Sequence, residues 1–123
     1  MKQQLIGLNY KNKKIKLKVS RVPFWYEGIG LMFKRKTYSK ILLFEFKNPV
    51  KMSIHSLFVF FPFVAIFLDE GLNVVEIKKV KPFKINISPR VKYKYLVEIP
   101  VNEKFFKLIS SFDEVSTATK TFK

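Results

Sequence analysis

The chain contains no cysteine, which excludes disulfide frameworks, thiolate metal sites and cysteine nucleophiles and leaves the redox compartment unreadable. Histidine is almost as scarce. His55 stands alone, so a triad or a histidine-based metal site would need every other role filled by Asp, Glu, Ser or Tyr. There are 4 glycines, and "EGIGL" has G-x-G spacing without the rest of a phosphate loop. The 9 acidic residues are scattered and place no opposed carboxylate pair for glycoside hydrolysis. Long apolar runs are missing too: residues 54–68 supply about 15 positions where a membrane-crossing helix needs roughly 20, and Pro62 interrupts them. The N-terminal "MKQQLIGLNYKNKKIKLKV" has no apolar core of signal-peptide length. The expectation is a cytoplasmic protein with no membrane span.

What is present is positive charge. Against the 9 acids stand 24 Lys and Arg, a net charge of +15. Residues 1–40 hold eleven bases and one acid, a net +10. Such an imbalance favours attraction to polyanions and says nothing about fold. The Lys-, Ile- and Phe-rich composition is thermophile-like, although thermophile surfaces usually add Glu to pair the Lys. At 123 residues the chain is expected to form a single domain over 1–123 with a core of its own.

Period-2 alternation dominates. "KKIKLKVS" (13–20) puts Ile15, Leu17 and Val19 on one face and Lys14, Lys16 and Lys18 on the other, a half-buried strand with a cationic outer side. "ILLFEF" (41–46) reads as a buried strand. Residues 55–69 read as two strand segments broken at Pro62, because proline cannot donate to a ladder. Asp69, Glu70 and Gly71 form a turn, with Gly71 expected at positive φ, and strands follow at 72–80, in "KINIS" and in "YKYLVEI", where Tyr93, Tyr95, Val97 and Ile99 are expected on one face. Pro23 is placed to open a short helix that Gly28 or Gly30 ends. Asn102 is placed to cap a second, with Phe105, Leu108 and Ile109 on one side. A last strand is expected at 112–115. The fold class expected is mostly β, a small antiparallel β-sandwich or barrel with one or two short helices.

The runs "GIGLMFK" (28–34), "HSLFVFFPFVAIFLDEGLNVVEI" (55–77), "VKPFK" (80–84) and "YLVEIP" (95–100) resemble the domain of unknown function 192 family, also called uncharacterised protein family 0127. The resemblance spans residues 19–115. It implies a compact, mostly β domain of the sandwich or barrel kind, found in archaea and bacteria, and no established activity. That family usually carries an acidic residue two places after the proline, where this chain has Val64; Glu98 matches its habitual acidic residue.

Two sets of residues are candidates for function. Trp25, Met32, His55 and Glu98 are candidates for a ligand pocket, with the Phe24, Trp25, Tyr26, Met32 and Phe33 cluster serving either as its lining or as core. Lys14, Lys16, Lys18, Lys34, Arg35, Lys36, Lys92 and Lys94 are candidates for polyanion binding. Arg21, Arg35 and Arg90 are the only arginines, and Arg is the residue that forks onto phosphate and reads base edges. Any nucleic-acid contact is therefore expected to be weak and non-specific. No catalytic residue, cofactor or metal is implied. The leading expectation is a non-enzymatic binding or interaction module. A basic nucleic-acid binder is the first alternative, and an enzyme with a pocket near Trp25, His55 and Glu98 the second.

Overall fold

The computed structural model describes residues 2–22, 40–51, 61–81 and 88–112. They form six strands: β1 Lys2–Tyr10, β2 Lys13–Arg21, β3 Leu42–Val50, β4 Phe63–Leu68, β5 Val74–Val80 and β6 Tyr93–Pro100. A 3-10 turn, Glu103–Phe105, leads into the short helix α1, Phe106–Ser110. The strands make one sheet in the order β1-β2-β3-β6-β4-β5. All pairings are antiparallel except β2 with β3, which run parallel through Ser20/Leu42 and Arg21/Leu43. The sheet curls far enough for the end of β1 to meet the start of β5 in a parallel bridge, Asn9 to Asn73. The fold is thus mostly β and barrel-like, with a short helix.

The curl creates two different faces. On the concave side, Ile6, Leu8, Leu17, Val19, Leu43, Val64, Ile66, Leu68, Val97 and Ile99 pack with Phe105, Ile109 and Phe112 from α1 and its flanks. On the convex side, Leu42, Phe44, Phe46, Phe63, Ala65, Phe67, Tyr93 and Leu96 form a second cluster over β3, β6 and β4. β4 therefore contributes to both and is buried at all six positions. Burial on both faces explains why its sequence is a continuous apolar run instead of an alternating one. β2 alternates over 14–19 because only its inner face is covered there: Leu17 and Val19 are buried while Lys14, Lys16 and Lys18 are exposed, and only at Ser20, beside β3, is the outer side covered too.

Asn102 caps as expected, its Oδ1 accepting from the Phe105 N–H at 3.2 Å, but what it caps is the 3-10 turn; α1 continues from Phe105 without a side-chain cap of its own. Phe105 and Ile109 are buried and Leu108 packs partly against them. Two local expectations are corrected. Gly71 does not adopt positive φ; the left-handed residue of this turn is Leu72, at φ 62°. The Asp69 carboxylate accepts from the N–H groups of Gly71 and Asn73, both at 2.9 Å, and this places the left-handed position one residue later, where the Leu72 side chain rests against the inner core. Tyr93 does not share a face with Tyr95, Val97 and Ile99. A register shift between Glu45 and Val50 on β3, in a segment holding Pro49 that cannot donate to the ladder, turns Tyr93 to the convex side. Its ring there meets Phe46 and Phe67 edge-on at 5.3 and 4.8 Å.

The expected helix after Pro23 lies outside the described residues, as do the strand segment before Pro62 and the strand in "KINIS" apart from their last residues, Phe61 and Ser88, neither of which is in a strand. Of the expected last strand only Phe112 is described. It is fully buried, with its ring 5.2 Å from that of Tyr10.

Candidate functional sites

The β1–β2 hairpin turns through Lys11 and Asn12, both left-handed at φ 47° and 65°, the pattern of a two-residue type I′ turn whose twist matches the flanking strands. Register then sets Asn9 opposite Lys14, Gly7 opposite Lys16 and Leu5 opposite Lys18. All six lie on the convex side, because their neighbours Ile6, Leu8, Leu17 and Val19 fill the concave one. Lys14, Lys16 and Lys18 are exposed, and Leu5 is 68% exposed. No acidic residue occurs in residues 2–21, and among the described residues no carboxylate pairs with these three lysines.

Gly7 shapes this face. A Cβ added there would sit 3.2 to 3.7 Å from Cδ, Cγ and Cε of Lys14. The aliphatic stem of Lys14 therefore leans from β2 over Gly7 of β1, close to the space that a side chain at position 7 would need.

The other basic candidates behave differently. Lys92 is exposed. Lys94 is tied down: its Nζ donates to the carbonyls of Phe46 and Lys47 at 2.7 and 3.2 Å and lies 3.8 Å from Glu45. Those carbonyls belong to the irregular part of β3, where the regular ladder to β6 is broken. Glu45 also pairs with Arg21, which donates to Gln4 Oε1 at 3.3 Å. Lys34, Arg35 and Lys36 lie outside the described residues.

Of the pocket candidates, Trp25, Met32 and His55 also lie outside the described residues. Glu98 is described and unusual. It stands in a cross-strand row, Ser20, Leu42, Glu98, Ala65, Lys78, drawn from β2, β3, β6, β4 and β5. Leu42 and Ala65 beside it are fully buried, Leu96 shares its face one step along β6, and Glu98 itself is 6% exposed. Burial in these apolar surroundings pushes its carboxyl up to about 8, because removal from water penalises the charged form. Lys78, the cation of the row, is engaged 3.3 Å away with Glu76. Val64 points to the other side of the sheet and is fully buried between Lys79 and Ile99. A carboxylate at 64 would have to be accommodated among Ile66, Leu68 and Val97.

Asp69 is the opposite case. Partial burial works against its charge, but the hydrogen bonds from the Asn73 backbone and side chain and from the Gly71 N–H outweigh it and hold the carboxyl below its usual range. Among the described residues no three of the His, Asp and Glu side chains gather in a set able to hold a metal ion, and no described helix is long and apolar enough to cross a membrane.

Residues 6–107 match the family model of the domain of unknown function 192, DUF192, described as uncharacterized ACR, COG1430. The chain belongs to the DUF192 family. A UPF0127 protein of Pyrococcus horikoshii is 32% identical over 77 residues, covering 63% of this chain and 66% of that protein, just under two thirds of its length. A UPF0127 protein of Pyrococcus furiosus is 31% identical over 91 residues, covering 73% and 78%. Among solved structures, a protein from Sinorhizobium meliloti described as a candidate transcription regulator superposes with a TM-score of 0.69 at 17% identity, over 86% of this chain and 84% of that one. A protein of unknown function from Novosphingobium aromaticivorans gives 0.66 at 14% identity, over 86% and 78%. At these identities the structural likeness concerns the fold.

For this DUF192 chain, sequence reading identifies the lysine row and Glu98 as candidates but misses β1, Leu5, Gly7 and Ser20. The available signal was Gly7: an isolated glycine within a strand marks a place where another group approaches closely.

Proposed function

We propose that this DUF192 domain is a non-enzymatic interaction module that engages an anionic macromolecule through the convex face of the β1–β2 hairpin. The observation that carries this reading is the row of Lys14, Lys16 and Lys18, held on one exposed face with no acidic partner among the described residues. Three like charges fixed on alternate positions of one strand repel one another, and an anion laid along them relieves that repulsion. Association would be salt-sensitive and weakly selective, since lysine offers a point charge and no planar fork.

The test is a titration of labelled polyglutamate and random-sequence oligonucleotides at two salt concentrations. If the surface meets about 4 to 6 phosphates of duplex DNA, the log-log salt slope is near −4 to −5. A variant with Lys14, Lys16 and Lys18 changed to Gln should lose most of the binding. Absence of any binding at about 50 mM salt, where non-specific contacts are strongest, removes the reading.

A small-ligand site at Glu98, enzymatic or not, is the second reading. Its support is a nearly buried carboxyl in an apolar row with Ser20 two strands away and no hydrogen bond or ion pair to its side chain among the described residues. A fragment screen by NMR should then shift Leu42, Ala65 and Glu98 together. Fragments that shift none of the three count against it.

A further inference from the structure

We propose that the outer edge of β1, from Gln3 to Gly7, accepts an extended acidic polypeptide segment as an additional strand. This deepens the interaction-module reading and rests on it. The first observation is hydrogen-bond direction. The Asn9 N–H points away from β2 and donates to Leu72 O at 2.8 Å, and strand period 2 gives Gly7, Leu5 and Gln3 the same outward direction. Upstream of the Asn9–Asn73 bridge, however, no described strand pairs with β1 on the side away from β2. The Gln3, Leu5 and Gly7 backbone groups therefore form an edge without a ladder partner among the described residues.

The second observation is that this edge lacks the usual protection. Edge strands are commonly blunted by charged side chains, proline or bulges, whereas residues 3–10 carry no charge and no proline. The β1–β2 register also runs without a bulge from Lys2 to Tyr10. Leu5 is 68% exposed on this strand. The third observation is the charge beside the edge. The stem of Lys14 lies against Gly7 of β1, which brings this side chain from β2 over the edge strand. Lys16 and Lys18 stand one strand further in, opposite Gly7 and Leu5.

These features select the partner. An added strand alternating acidic and apolar residues would set carboxylates on the convex face toward Lys14, Lys16 and Lys18 and apolar side chains on the concave one, while its backbone completes the ladder. A second copy of this chain fits poorly, because each copy brings a charge of +15 and its own lysine row. Single-stranded nucleic acid fits less well than peptide, because such binders stack bases on aromatic side chains. The convex face of the hairpin offers Gln3, Leu5, Gly7, Asn9 and the three lysines, with no aromatic among them.

The experiment measures fluorescence anisotropy of a labelled octapeptide alternating Glu and Val. It is compared with the same peptide N-methylated at alternate residues and with a random oligonucleotide of equal charge. The expected result is that N-methylation weakens binding by about tenfold, the size of losing a few net backbone hydrogen bonds. Leu5→Pro should do the same, since it removes an outward N–H and proline is tolerated on edge strands. Lys14→Gln should lower the affinity and flatten its salt dependence. Should Leu5→Pro fail to fold, the methylated peptide makes the same test on the unaltered protein. Equal binding of the methylated and plain peptides, or tighter binding of the oligonucleotide, overturns strand addition and leaves the anion-binding reading standing. No binding of either probe at low salt overturns both.

Discussion

The side-chain amide of Asn9 donates to Asn73 Oδ1 at 3.0 Å and to the Gly71 carbonyl at 3.3 Å, while the Asn9 N–H donates to Leu72 O at 2.8 Å. One residue thus fastens the first strand to the turn that begins the last edge strand. Asn73 is held in turn by Asp69, whose two carboxylate oxygens each accept from Asn73 Nδ2 at 3.1 Å. Asn9→Ala removes two exposed side-chain hydrogen bonds and leaves the backbone bridge. The expected loss is about 1–3 kcal/mol, at roughly 0.5–1.5 per bond. Chemical denaturation measures it, and a change no larger than that of an ordinary surface substitution would show that backbone pairing alone closes the sheet.

Leu17 and Lys16 are adjacent on β2 and opposite in environment. Leu17 is 4% exposed in the concave core and Lys16 faces solvent. Leu17→Ala should cost about 2–5 kcal/mol, as large-to-small core changes do, whereas Lys16→Gln should stay within about 0.5 kcal/mol. Urea midpoints of the two variants provide the comparison. Similar values for both would contradict the assigned faces.

Lys11 and Asn12 occupy left-handed conformations that suit asparagine and glycine. Replacing the pair by Asn-Gly should raise stability by on the order of 1 kcal/mol, the scale of the left-handed penalty for an ordinary residue. The Lys11 ammonium also lies over the Tyr10 ring, Nζ 5.2 Å from its centroid, and loss of that contact sets the lower end of the gain. A thermal shift with the hairpin register unchanged by NMR is the expected observation.

The contrast between β2 and β1 shows which physical signals were readable. In β2, Lys14, Lys16 and Lys18 alternate with Ile15, Leu17 and Val19, so one buried face imprints a period of two. β1 has the same geometry, but its outer positions are Gln3, Leu5, Gly7 and Asn9. Leu5 is apolar and exposed, Gly7 has no side chain, and the alternation vanishes from the sequence although the strand is there. Leu72 shows a second limit. Its turn was legible from Asp69 to Gly71, but the left-handed position went to a leucine because its side chain reaches the core. Glu98 was legible as a candidate through its family resemblance. Its burial was not, because that depends on β3 and β4 flanking it from distant parts of the chain.

The carboxyl of Glu98 makes a prediction about pH. Its ordinary value is 4.5 and burial raises it to about 8 in the folded chain. Below about pH 4.5 both folded and unfolded states hold the proton, and the group costs nothing. Between that value and about 8 the unfolded chain releases the proton while the folded chain keeps it. Stability then falls as pH rises, by about 1.4 kcal/mol per pH unit at most, and levels off once the folded state ionises too. Asp69 acts in the opposite sense: its carboxyl is lowered, so its contribution is lost only as pH falls through its folded value. Glu98→Gln keeps the shape and removes the titration. Its stability should match that of the wild type near pH 4 and exceed it near pH 8 by a few kcal/mol, on the order of the full linkage. Subtracting the two pH profiles from urea denaturation cancels every group common to both proteins, His55 included. A flat difference profile between pH 5 and 8 would mean that the Glu98 carboxylate is stabilised in its charged form, and the apolar environment assigned to it would be wrong.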